Sequence, residues 1–102
     1  MSGDLEKFLR EYSGLVLVNL WADECEASRY MEQLMREFER YATIPVLRLT
    51  LHEHRKWAMA HGIYGTPALI AYYQNRPLFR LIGRVTPAEL LQRLRQHGID
   101  QV

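Results

Sequence analysis

At 102 residues the chain has the size of one domain spanning 1–102, and 48% hydrophobic with 25% charged residues is enough to build a single core. Thirteen Lys and Arg against 12 Asp and Glu leave a net charge of +1, which gives no electrostatic case for nucleic acid or an anionic membrane. One cysteine excludes an internal disulfide and a cysteine-rich metal site, and no apolar run approaches the ~20 residues that span a bilayer.

The chain opens with Asp4, Glu6, Lys7, Arg10 and Glu11, too charged for a secretory signal, so a cytoplasmic setting is expected. Leu5, Phe8, Leu9 and Tyr12 recur at helical spacing, and Gly14 stands where that helix ends. Leu15 to Leu20 is almost wholly apolar, as suits a central strand covered on both faces. From Glu26 onward Met31, Leu34, Met35, Phe38 and Tyr41 or Ala42 mark one face of a helix of about four turns. Pro45 opens a strand in which Leu47, Leu49 and Leu51 face one way while Val46, Arg48 and Thr50 face the other. His54 to His61 reads as a short helix anchored by Trp57 and closed by Gly62. Ala68 to Tyr73 and Leu78 to Ile82 are strands joined by the short Gln74-Asn75-Arg76-Pro77 turn, hence antiparallel. Thr86-Pro87-Ala88-Glu89 is a helix start with cap, N1 proline and capping-box glutamate, and Leu90, Leu91 and Leu94 supply its buried face. The order α-β-α-β-α-β-β-α predicts an α/β fold: one mixed sheet of about four strands with helices on both faces.

Chemistry concentrates at Asn19-Leu20-Trp21-Ala22-Asp23-Glu24-Cys25-Glu26-Ala27-Ser28-Arg29. The only cysteine follows an apolar run and precedes a long amphipathic one, which puts it at the carboxyl end of a strand and the amino terminus of a helix. Free N–H groups and the helix dipole there favour a thiolate, as does Arg29, whereas Glu24 and Glu26 oppose it. A thiol pKa lowered only modestly is the expectation. Ser28 reads as a first-turn serine satisfying free N–H groups, or as a hydrogen-bond partner of the Cys25 thiolate three residues away. The four histidines are scattered, with no Cys or carboxylate set at ligand spacing, so neither metal nor cofactor is expected. Tyr72 and Tyr73 read as packing residues, and Arg93 and Arg95 as a solvated helix face.

The segment resembles the active site of thioredoxins, Trp-Ala-x-x-Cys-x-x-Cys-Lys, with Ser28 in place of the second cysteine. The likeness runs from about Leu15 to Leu94. Tyr64-Gly65-Thr66-Pro67-Ala68 is similar to the family's loop ending in a cis-proline opposite the active site, although an X–Pro bond read alone would be trans. Gly83 matches the glycine that lets a partner's backbone approach. The resemblance implies a groove of Trp21, Glu24, Gly65, Thr66, Pro67 and Gly83 around a catalytic Cys25, in which the Thr66 backbone pairs with an extended partner segment. Four departures accompany it. Ser28 cannot resolve a mixed disulfide. Asn19 takes the place of a buried aspartate that serves the resolving cysteine, and an amide there avoids the desolvation of a carboxylate without a task. Glu24 replaces a usual aromatic neighbour, and the residues before Cys25 leave no room for the opening strand.

The resemblance thus implies a monothiol site in which Cys25 exchanges with disulfides and forms mixed disulfides with protein thiols or with glutathione. A redox-silent module that docks partners in the Cys25/Pro67 groove is the alternative, and a sulfur or persulfide carrier a third use. Without the opening strand the edge at 45–51 is open, with partial protection from Pro45 and Arg48. Self-association through this edge as a homodimer is expected, or use of the edge by another partner, with a cover supplied by residues 1–4 as a second option.

Overall fold

The computed structural model describes residues 2–22, 25–41 and 44–99. Its elements follow the order α1 Ser2–Glu11, β1 Leu15–Trp21, α2 Glu26–Tyr41, β2 Val46–Thr50, α3 Arg55–Ala60, β3 Ala68–Tyr73, β4 Arg76–Ile82 and α4 Pro87–Gln96. Among the described residues these strands form one sheet in the order β2-β1-β3-β4, with β1 parallel to β2 and the remaining pairs antiparallel. No described helix is long and apolar enough to cross a membrane.

Strand β1 organises the molecule because it is buried on both faces from Leu15 to Leu20. Val16, Val18 and Leu20 join a core closed by Leu5 and Leu9 of α1 and by Trp57 of α3. Leu15 and Leu17 point the other way, into a core with Met31 and Met35 of α2 and Leu90 and Leu94 of α4. This alternation is the pleat of a strand sandwiched between two helical layers. Leu34 and Phe38 complete the α2 face, while Ala42 and the Tyr41 side chain lie outside the described residues. In α4 the Thr86 Oγ1 accepts the Glu89 N–H at 3.1 Å and the Glu89 carboxylate accepts the Thr86 N–H at 3.3 Å, a complete capping box.

Four details depart from the sequence reading. First, β4 begins at Arg76, so the hairpin loop is only Gln74-Asn75, with φ of 52° and 61°. Two left-handed residues in succession suit the tight turn that matches strand twist, and Pro77 is accommodated in β4, at the sheet edge beside a register shift. Second, Tyr73 is exposed, whereas Tyr72 is buried and shares a hydrogen bond with His61 Nε2. His61 Nδ1 lies 2.8 Å from the Trp57 carbonyl, so Nδ1 carries the proton and Nε2 accepts from the tyrosine. Burial pushes the Tyr72 phenol up to about 12. Third, Arg93 lies over the Phe79 ring at 4.9 Å instead of standing free in solvent.

The fourth concerns β2. Its outer edge carries no strand among the described residues, yet Leu47, Leu49 and Leu51 pack against the α1/α3 core and are not an open apolar face. Arg48 is also committed elsewhere. Its Nε donates to both Glu32 oxygens at 2.7 and 2.9 Å, and its Nη2 donates to Glu39 at 2.6 Å, tying β2 to α2. The Glu39 hydrogen bond, followed by Glu32, raises the Arg48 pKa above its ordinary value. Residues Ser2–Glu11 form α1, so no strand from this segment pairs with the β2 edge.

Candidate functional site

The carboxyl end of β1 and the start of α2 meet at Cys25. The Cys25 carbonyl accepts the N–H groups of Ser28 and Arg29 at 3.1 and 3.2 Å, which makes Cys25 the cap residue of α2, and its own N–H donates to the Ala22 carbonyl at 3.3 Å. Cys25 is partly exposed and unpaired. Its thiol lies 3.8 Å from the Thr66 carbonyl oxygen, across from a cis Thr66–Pro67 peptide bond.

Ser28 is 3% exposed and joins the two elements. Its Oγ accepts the Ala22 N–H at 3.3 Å. The nearby Ser28 hydroxyl, followed by the Ser28 backbone N–H, holds the Cys25 thiol below its ordinary pKa against the opposing cost of desolvation. Ser28 therefore serves strand and sulfur at once, and its acceptor role is toward the end of β1, not toward the free N–H groups of the helix. Arg29 and Glu26 are both exposed on the first turn of α2. Glu24 lies outside the described residues.

Below the cysteine, Asn19 is fully buried on β1, and neither Nδ2 nor Oδ1 has a partner among the described residues. On strand parity its side chain faces the α2/α4 layer with Leu15 and Leu17. An unpaired buried amide costs on the order of 1–3 kcal/mol, and an unpaired carboxylate costs more.

Pro67 is buried, Thr66 and Gly65 are partly exposed, and the Pro67 carbonyl accepts the Gly83 N–H at 2.8 Å. Gly83 has φ +86° and open space where a Cβ would stand, so glycine suits both the backbone and a close approach from outside. Trp21, at the end of β1, is partly exposed, and its carbonyl accepts the Leu51 N–H at 3.0 Å. Cys25, Thr66, Pro67 and Gly83 thus share the end of the sheet to which Trp21 also belongs. Sequence reading missed two apolar residues that flank Pro67: Tyr64, 72% exposed, and Ile82, 56% exposed, paired with Ala68. Their signal was adjacency, since each directly precedes a site glycine. It also missed Arg84 over the Tyr30 ring at 5.6 Å, a contact between the segment after Gly83 and α2.

The sheet order, the helices on both faces and the cysteine at the β1–α2 junction facing Thr66–Pro67 define a thioredoxin fold. No family model matches the chain. In sequence it is 26% identical over 89 residues to the thioredoxin of Buchnera aphidicola, covering 85% of this chain and 82% of that one. Among solved structures it is similar to a mutant thioredoxin from Halobacterium salinarum, with TM-score 0.79 and 17% identity over 98% of this chain and 86% of that one. It is likewise similar to the reduced thioredoxin pre-protein of Schistosoma mansoni, with TM-score 0.81 and 20% identity over 92% of this chain and 90% of that one. The fold is thioredoxin-like, and the chain has one cysteine where the motif it resembles has two.

Replacing Ser28 by Ala removes the acceptor of the Ala22 N–H and the hydroxyl that favours the Cys25 thiolate. The pH midpoint of Cys25 alkylation is expected to move upward, and stability to fall by about 1 kcal/mol through the lost Ala22 partner. Alkylation against pH, followed by mass spectrometry, and urea denaturation read the two effects separately. An unmoved alkylation profile would mean that the hydroxyl does not act on the sulfur.

Proposed function

We propose that the protein is a monothiol disulfide-exchange protein acting through Cys25. The observation that carries this reading is a partly exposed cysteine whose thiolate is favoured by the buried Ser28, beside Thr66 and with no second thiol in the chain. The Cys25 thiolate attacks one sulfur of a protein disulfide, the Cys25–S–S–R bond forms, and the departing R′ thiolate takes up a proton from water. No internal thiol follows. An outside thiolate must then attack the adduct sulfur, joining R and returning the electron pair to Cys25. Glutathione is the proposed outside thiol, and a reducing compartment such as the cytoplasm, where such thiols are kept reduced, is the proposed setting. The partner's extended backbone pairs at Thr66, and Tyr64, Ile82 and the space before Gly83 supply its apolar and close contacts.

Reduction of insulin with dithiothreitol is expected to be far slower than with a two-cysteine thioredoxin. Substituting Ser28→Cys should permit an internal disulfide, and adding Asn19→Asp should raise turnover further by supplying a proton acceptor. Thioredoxin-like turnover by the unaltered protein would overturn the monothiol mechanism. A Cys25 that resists alkylation at neutral pH would favour the redox-silent docking module instead.

The open outer edge of β2 is the proposed seat of a second copy, paired edge to edge as sheets with free N–H and C=O groups do. Sedimentation equilibrium at micromolar concentration is expected to show a dimer; a clean monomer would remove this assembly.

A further inference from the structure

A cavity of about 660 Å³ lies against the support of the cysteine. Trp21, Ala22 and Ser28 form part of its lining, and two of these hold Cys25 directly: Ala22 through the Cys25 N–H, and Ser28 through its hydroxyl. The cavity therefore reaches to within one helical turn of Cys25. Its volume falls in the usual range of small-molecule sites, ~300–1,000 Å³.

Another wall is the stripe Arg29, Glu32, Gln33 and Arg36 of α2, which the spacing of three, four and seven places on one helix face. The charges on it are unequal in availability. Glu32 is held by Arg48, whose second carboxylate partner is Glu39, and the remaining negative charge of this buttress is balanced by Arg36, whose Nε donates to Glu32 at 3.1 Å. The Arg36 side chain is 73% exposed and its two terminal nitrogens have no partner among the described residues, while Arg29 has no ion-pair partner there at all. Arg29 thus offers an uncompensated charge and Arg36 two free N–H-bearing nitrogens, two turns apart, roughly 10 Å along the helix axis. A ligand with one carboxylate engages one of them; a ligand with two carboxylates at that separation engages both.

We propose that this cavity binds the outside thiol that releases the Cys25 adduct, and that this thiol is a small dicarboxylate peptide. The inference rests on the exchange reading above and adds the chemical class of the second substrate and the residues that select it. Arg29 and Arg36 take the carboxylates in bidentate fashion, the Trp21 ring supplies a face for the peptide body, and the thiol is left at the Ser28 end. Its thiolate attacks the partner sulfur of Cys25–S–S–R, a new S–S bond to R forms, the S–S bond between Cys25 and R breaks, and Cys25 leaves as the thiolate that Ser28 receives. Arg29 and Arg36 are positioning residues in this step, since neither touches the reacting sulfurs.

The test starts from protein carrying Cys25 as a mixed disulfide with 2-mercaptoethanol and follows the return of free Cys25 by mass spectrometry. Release by glutathione is compared with release by its diethyl ester, which keeps the sulfur and masks both carboxylates, each rate corrected for thiolate concentration. Glutathione is expected to be roughly fivefold faster at low salt, with the preference shrinking as salt is added. The preference should fall in Arg36→Gln and disappear in the Arg29→Gln, Arg36→Gln double variant; taking the ratio of the two thiols cancels any general change in the adduct. Equal rates for the two thiols, or a preference that survives both substitutions, would overturn the cavity assignment while leaving exchange through Cys25 in place. If Cys25 forms no mixed disulfide at all, the exchange reading falls and this inference falls with it.

Discussion

The site depends on one buried hydroxyl. Ser28 lies in the first turn of α2, yet its Oγ accepts an N–H from Ala22, six residues earlier and just beyond the end of β1. That contact fixes the angle at which the helix leaves the strand. The same hydroxyl favours the Cys25 thiolate. A serine at this place therefore does structurally what a small residue of any kind would not: it closes the strand–helix junction and leaves a hydrogen-bond donor facing the sulfur. It cannot attack a disulfide, and the chemistry open to the protein follows from that single limit.

The rest of the fold serves to present this junction. Strand β1, covered on both faces, gives Cys25 a rigid base, and the Thr66 carbonyl lies 3.8 Å from the thiol. Asn19 shows how the interior fits a one-thiol site. A carboxylate with no partner in that fully buried position would carry a larger desolvation cost than the amide, and no second thiol is present to use it. The ion-paired Arg48 stiffens the neighbouring edge by tying β2 to α2, although its charges are too exposed for the pair to count heavily toward stability.

Much of this was legible in the residues because the signals are local. The apolar run Leu15 to Leu20, the Met31/Met35 stripe and the Thr86-Pro87-Ala88-Glu89 start each encode their element within a few residues. What escaped depends on partners distant in sequence or on backbone geometry without its usual residue. Gln74 and Asn75 adopt left-handed conformations with no glycine between them, so Arg76 and Pro77 read as loop instead of strand. Arg48 read as an edge guard because its partners Glu32 and Glu39 lie on another element. Ser28 was recognised as a cap or sulfur partner, but the Ala22 contact across the junction has no pattern in sequence.

The central claim is that Cys25 captures a disulfide and then waits for a thiol from outside. Intact-mass measurement of the reduced protein after exposure to glutathione disulfide, before and after addition of free thiol, tests this most directly. The account predicts a single glutathione adduct on Cys25 that persists after the disulfide is removed and disappears only when thiol is supplied. A protein that stays unmodified while its thiol is accessible to alkylation, or an adduct that clears without added thiol, would contradict it.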